Sequence, residues 1–303
     1  MKSWYLQPTA IFLSAFNILL LLAILFKLFE NKECLRISNL KIKERIVGGR
    51  AAVFINYRFM AGIIIVGFDE VKLQCGASII SAYWVISAAH CIEIIEDAQL
   101  ETKNVNIVAG HREWKKGRRH RVVKMIMNKY FDSYTMANDS SLIKVRLPFD
   151  LKTEIPIPLA KSDDLYNVNS SAVVLGWGRN ATTSEIVQDI LFSVDVLLFD
   201  TEYCLNLYGK ESITDDMFCA GSYTGGKDAC QFDSGGPIMK NNILIGITSW
   251  GGDCGEKTQP GVYIKISYFI PWLRKMEKQE GTEIICGKRC RKTINRKNSG
   301  RFL

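Results

Sequence analysis

Histidine is scarce in this 303-residue chain, occurring only at His90, His111 and His120. Chemistry that needs an imidazole therefore has few candidates. No Cys-x-x-Cys pair and no histidine cluster accompanies the nine cysteines, which argues against metal ligation. No internal repeat is present. The long apolar run from Ala10 to Phe26 is interrupted by Ser14 and Asn17, and it is long for a signal-peptide core yet short for a membrane span. No small-x-small cleavage site follows it, only Lys27-Leu28-Phe29-Glu30. That absence favours an uncleaved anchor, whereas Lys27, Lys32 and Arg36 on the far side run against the positive-inside tendency. Residues 1–29 thus read as a signal peptide or a type II signal-anchor, and the protein as secreted or anchored at the cell surface.

Acids are missing altogether from Lys288 to Leu303, a stretch that carries Lys288, Arg289, Arg291, Lys292, Arg296, Lys297 and Arg301. Residues 281–303 are accordingly expected to be a basic, disordered tail. A second basic run, Arg112, Lys115, Lys116, Arg118, Arg119 and Arg121, adds to the net charge of +8. It reads as a solvated surface loop open to an acidic partner or a sulfated polysaccharide. Nucleic acid is not an expected partner.

What the chain does have is cysteine behind an apolar leader, which points to the oxidising secretory route. Its 48% apolar content supplies a core. Apolar, β-branched runs of strand length recur at Ala61–Gly67, Tyr83–Ser87, Val105–Val108, Val122–Met127 and Leu142–Leu147. Further runs lie at Ala172–Leu175, Leu191–Leu198, Ile243–Ile247 and Gly261–Ile266. Asn241-Asn242 suits a two-residue hairpin turn. Many short strands with glycine-bearing turns read as an all-β sandwich or barrel. One helix is expected from about Tyr268 to Lys278, with Trp272 and Leu273 on its apolar face.

Three separated segments carry chemistry: Ala88-Ala89-His90-Cys91, Asn138-Asp139-Ser140 and Asp228-Ala229-Cys230-Gln231-Phe232-Asp233-Ser234-Gly235-Gly236-Pro237. Nucleophilic acyl transfer needs a hydroxyl, an imidazole to take its proton, and a carboxylate to fix the imidazole's tautomer. Together with Arg45-Ile46-Val47-Gly48-Gly49, these segments resemble the trypsin-like (chymotrypsin-fold) serine proteases over about residues 46–280. The resemblance implies two six-stranded antiparallel β-barrels with a C-terminal helix and the site between them. It also implies a propeptide at 30–45 and a peptidase domain at 46–280.

On the same resemblance Ser234 is the nucleophile, His90 the general base and acid, and Asp139 its orienting carboxylate. The backbone N–H groups of Phe232 and Ser234 form the oxyanion hole, and no cofactor or metal is required. Asp228 floors the primary pocket and selects Arg or Lys, with Ser249, Trp250, Gly251 and Gly261 as its walls. Cleavage after Arg45 by another trypsin-like protease frees the amine of Ile46, which pairs with Asp233 and converts a zymogen into an enzyme. The implied bridges are Cys75 to Cys91, Cys204 to Cys219 and Cys230 to Cys254, which leaves Cys34, Cys286 and Cys290. A further family bridge is lost at both ends, at Ala172 and Lys240. Asn169 and Asn180 are the glycan sites. Phe232 departs from the family, which has glycine there: the ring leaves the N–H donor in place but narrows the substrate range. The alternative is a weak or inactive homologue that acts as a binding module.

Overall fold

The computed structural model describes residues 48–179, 187–209, 211–229, 232–287 and residue 290. The expectations for the leader, the propeptide, Arg45, Ile46, Asn180 and Cys230 lie outside them.

A two-residue strand, β1 (Arg50–Ala51), precedes a barrel made of β2 (Met60–Val66), β3 (Val71–Ile79), β4 (Trp84–Ser87), β5 (Val105–Ala109), β6 (Arg118–Met127) and β7 (Ser141–Val145). Its order is β2-β3-β4-β7-β6-β5, closed by antiparallel pairing of β5 with β2. A second set comprises β8 (Ser171–Gly176), β9 (Phe192–Leu198), β10 (Met217–Gly221), β11 (Pro237–Lys240), β12 (Ile243–Trp250) and β13 (Gly261–Lys265). Here β8 pairs with both β9 and β11, so these six strands also close, and β1 adds to the outside of β9. Closure leaves β1, two residues long, as the one edge strand among the described residues. The core takes in residues such as Ile63, Ile86 and Trp84 on the first set of strands and Val174, Phe192 and Tyr263 on the second, each at most 1% exposed. Asn241 and Asn242 both take left-handed φ values, 53° and 59°. That conformation gives a two-residue hairpin the strand twist it needs.

Three helices are described: α1 (His90–Asp97), α2 (Thr201–Tyr208) and α3 (Ile266–Glu280). The Asp200 carboxylate caps α2 by accepting the Glu202 N–H at 2.8 Å. α3 runs two residues beyond the expected bounds at each end and stops at Gly281, which adopts φ 61°. Cys75 is bonded to Cys91, and Cys204 to Cys219; Cys254 is also in a disulfide.

Two expectations need correction. Residues 281–287 are no free tail: Ile284 and Ile285 are buried, and the Cys286 N–H donates to the Ile80 carbonyl at 2.9 Å. The Trp84 indole N–H donates to Thr282 Oγ1 at 3.0 Å, and Glu277 accepts the N–H groups of Ile284 and Ile285. Cys286 is bonded to Cys290. The basic run begins only at Lys288, and the Gly281–Gly287 stretch carries instead two isoleucines that join the hydrophobic core. The run from Arg112 to Arg121 is likewise no simple loop, since its second half begins β6. Alternation explains this: Arg119 and Arg121 face outward, while His120 and Val122 are buried.

Ala172 and Lys240 each lie one residue beyond the Val173–Met239 pair where β8 meets β11. The Lys240 ammonium donates to the Leu165 carbonyl at 3.0 Å and to Ser170 Oγ at 2.8 Å. Polar contacts thus tie down the region where the resemblance expects a bridge.

Candidate active site

β4 ends at Ser87, and two buried alanines lead into α1, whose first residue is His90. The α1 N-terminus has no side-chain cap from Ala89. Asp139, from the loop before β7 and fully buried, supplies one instead. Its Oδ1 accepts the His90 backbone N–H at 2.9 Å, while Oδ2 meets the ring Nδ1 at 2.8 Å. One carboxylate therefore both caps the helix and orients the imidazole. With Nδ1–H donating to Asp139, Nε2 of the neutral ring is left as the acceptor. Ser249 Oγ donates to the same Oδ2 at 2.5 Å, a role for Ser249 that sequence reasoning assigned only to the pocket wall. Nε2 lies 3.7 Å from the bonded sulfur of Cys91, and among the described residues no hydrogen bond joins it to Ser234. A grouping of Cys75, His90 and Cys91 brings two sulfurs and one imidazole nitrogen close together. Both sulfurs are spent in a disulfide, so the group offers no thiolate for a metal.

Ser234 sits in a tight turn between the barrels. The Gly236 N–H donates to the Asp233 carbonyl at 2.8 Å, the Gly235 N–H to the Thr248 carbonyl at 2.7 Å, and the Gly76 N–H to the Ser234 carbonyl at 2.8 Å. Gly235 adopts φ 76°, and a Cβ there would lie 2.1 Å from Ser87 Oγ. Only glycine fits that crossing. Asp233 is fully buried against Gly176 and Gly178, where an added Cβ would fall 1.7 and 2.5 Å from its carboxylate, and it accepts the Gly178 N–H at 2.8 Å. Among the described residues neither the Phe232 N–H nor the Ser234 N–H donates to another backbone group.

Phe232 adopts φ 72°, a left-handed conformation that costs an L-residue about 1–2 kcal/mol. The guanidinium of Arg179 lies over its ring, 4.9 Å from the centroid. Such a contact contributes about 0.5–2 kcal/mol, depending on desolvation, so attraction and strain are of one order. Sequence reasoning passed over Arg179, because nothing local marks it as a partner of a residue 53 positions away.

Beside Ser234 a cavity of about 220 Å³ is lined by Asp228, Ala229, Ser249, Trp250, Gly251 and Gly261, among others. At its floor Asp228 is 4% exposed, and among the described residues its Oδ1 has no hydrogen-bond partner. Oδ2 accepts the Gly255 N–H at 3.5 Å. Burial pushes the Asp228 carboxyl up to about 7, which the nearby N–H groups of Gly255 and Ala229 partly offset. A Cβ on Gly261 would lie 2.7 Å from Asp228 Oδ1 and 2.8 Å from the Tyr263 hydroxyl. That hydroxyl is itself buried without a partner among the described residues, and burial beside Asp228 drives its pKa well above the usual tyrosine value. The indole of Trp250 is held at the wall by the Tyr208 ring, 4.9 Å away. Tyr263 and Tyr208 were not singled out in the sequence, since isolated tyrosines in strands or helices read as core. Asn169 is exposed.

A family model described as Trypsin matches residues 46–273. Trypsin of Phaedon cochleariae is 34% identical over 241 residues, covering 76% of this chain and 87% of that protein. Trypsin-2 of Salmo salar is 36% identical over 199 residues, covering 66% of this chain and 83% of that protein. Among solved structures, neuropsin, a serine protease expressed in the limbic system of mouse brain, aligns with a TM-score of 0.66 at 28% identity, covering 75% of this chain and 98% of that one. Matched from the residue after Arg45 through both barrels and into α3, the chain belongs to the trypsin family and is a trypsin-like serine endopeptidase.

Proposed function

We propose that this enzyme is made as a zymogen, is switched on by cleavage after Arg45, and then cuts peptide bonds after Arg or Lys. The specificity reading rests on one observation: a buried carboxylate, Asp228, with an unpartnered oxygen at the floor of the cavity beside Ser234. A guanidinium or ammonium entering that cavity supplies the missing partner and restores the carboxylate to its charged form. In the reaction Ser234 attacks the scissile carbonyl and its proton passes to His90 Nε2. Asp139 steadies the imidazolium, and the N–H groups of residues 232 and 234 receive the oxyanion. The protonated His90 then gives its proton to the leaving amine, and water repeats the sequence to release the acid.

Activation is supported by the path of the chain at Gly48. A Cβ there would lie 2.2 Å from the Gly226 carbonyl oxygen, so the segment two residues after Ile46 lies against the loop that leads to Asp228. Phe232 narrows the range by holding a ring against Arg179 beside the oxyanion donors, on the side that receives residues beyond the scissile bond. Arg119 and Arg121, exposed on β6, make no ion pair among the described residues and are available to an acidic partner. The disulfides accord with the secretory route, by secretion or through a type II anchor, and exposed Asn169 accords with glycosylation. Among the described residues no helix is long and apolar enough to cross a membrane. The decisive experiment cleaves the chain after Arg45 and compares small Arg, Lys and aromatic amides, with Ser234→Ala as the blank. A preference for aromatic amides would overturn the specificity reading.

A further inference from the structure

The segments Gly176–Arg179 and Phe232–Asp233 run against each other from a buried anchor, the hydrogen bond from the Gly178 N–H to Asp233 Oδ1 at 2.8 Å. One residue outward from that anchor on each segment, Arg179 covers the ring of Phe232. Arg179 Nε is shut off from solvent, so the guanidinium is partly desolvated where it meets the ring, which strengthens such a contact. Glycine would hold a left-handed φ without assistance. Phenylalanine does not, and Phe232 nevertheless adopts φ 72°.

We infer that Arg179 is a positioning residue for the oxyanion hole. By clamping the Phe232 ring it holds residue 232 in the left-handed conformation and so aims that residue's N–H at the developing oxyanion. This inference rests on the catalytic reading above and deepens it. It makes Arg179 and Phe232 a pair: with glycine at 232 the backbone needs no clamp, and with phenylalanine at 232 it does. Without the clamp the peptide relaxes toward ordinary φ values, the N–H turns away, and transition-state binding suffers while ground-state binding in the Asp228 cavity does not.

The test is a double-mutant cycle on the full-length chain cleaved after Arg45, using Arg179→Ala, Phe232→Gly and the pair, with Arg179→Lys as the conservative variant. In the parent background Arg179→Ala is expected to lower kcat on a small arginine amide about ten-fold, with KM changed less than about two-fold. Arg179→Lys should recover part of the loss. In the Phe232→Gly background Arg179→Ala should change kcat by less than about two-fold. Thermal unfolding provides a second arm that does not need activity: Arg179→Ala should lower Tm by about 2–4 °C only when Phe232 is present. Equal losses of kcat in both backgrounds, or a rise in KM alone, would overturn the positioning role. Zero coupling in unfolding would overturn the clamp itself. An enzyme inactive in every background defeats the catalytic reading instead, and the unfolding arm then still decides whether the clamp exists.

Discussion

Burying a carboxylate while one oxygen lacks a hydrogen bond costs stability, and Asp228 is held that way at the floor of the cavity. Its folded pKa of about 7 lies above the ordinary aspartate value of 3.8. The sign follows from linkage: this group's contribution to stability is fully present below the ordinary value and is lost as pH rises through about 7. Above neutral pH the loss amounts to roughly 4 kcal/mol. Asp228→Ser should therefore abolish most hydrolysis of Arg and Lys amides and yet raise the urea midpoint at pH 8, with little gain at pH 4. A variant that is less stable at pH 8 would show that the carboxylate is better satisfied than its surroundings indicate. Binding of a small guanidinium competitor should weaken as pH falls through about 7, because the neutral acid cannot pair with it. Phe232 makes a separate residue-scale prediction. Short substrates barely meet its ring, whereas rigid inhibitor loops must pass it. Phe232→Gly should thus improve inhibition by a rigid protein inhibitor more than it raises turnover of small amides, as measured by Ki and kcat on one preparation. Equal gains in both would place the ring's effect on the oxyanion hole alone.

At the scale of elements, nine apolar runs in the sequence mark nine of the strands now described, whereas β1, β3, β10 and β11 went unread. The reasons differ. β1 is two residues long, β11 opens on Pro237, and β10 reads Met-Phe-Cys-Ala-Gly, buried at every position and so without alternation. β3 does alternate from Val71 to Cys75, but Lys72 and Gln74 on its polar face kept it from standing out as an apolar run. In β6 charge concealed the first four residues, Arg118–Arg121, of a strand read only from Val122. Only tertiary context tells that His120 points inward, to Glu154 at 2.9 Å, while its arginine neighbours point outward. That outward face carries a prediction. Lys115, Lys116 and Arg118 lie within ion-pair reach of Asp189, Glu113 and Asp150, but Arg119 and Arg121 lack such partners among the described residues. Replacing both with glutamate should lower the salt concentration that elutes the protein from heparin, while leaving small-amide hydrolysis intact. Elution at an unchanged salt concentration would leave this face as plain solvated surface.

Across the whole molecule the active site exists only because two separately closed barrels meet. His90 and Asp139 come from the first; Asp228, Ser234 and Ser249 come from the second. The sequence motifs name these residues, but the junction that brings them together rests on contacts no motif encodes, such as the Gly76 N–H to the Ser234 carbonyl and the Ser249 hydroxyl to Asp139. The same junction gives activation its logic. Asp233 is fully buried beside Ser234 and next to Phe232, so whatever holds its carboxylate also holds the N–H groups on either side that are proposed as the oxyanion donors. In the proposed enzyme the newly freed amine of Ile46 joins the Gly178 N–H in that task. The uncleaved chain has no such amine. Full-length protein should accordingly hydrolyse arginine amides at a small fraction of the rate reached after cleavage, and Arg45→Gln should stay inert when treated with a trypsin-like protease. The amine must be protonated to pair with a carboxylate, and a free α-amine titrates near 7.7–8.0. Pairing raises that value, so activity gained by cleavage should persist through neutral pH and fall reversibly as pH climbs past the raised value. The fall should be absent from the small residual rate of the uncleaved chain, because that chain has no amine at residue 46 to lose a proton. Full activity in the Arg45→Gln chain, read by active-site titration beside the cleaved parent, would refute activation by this route.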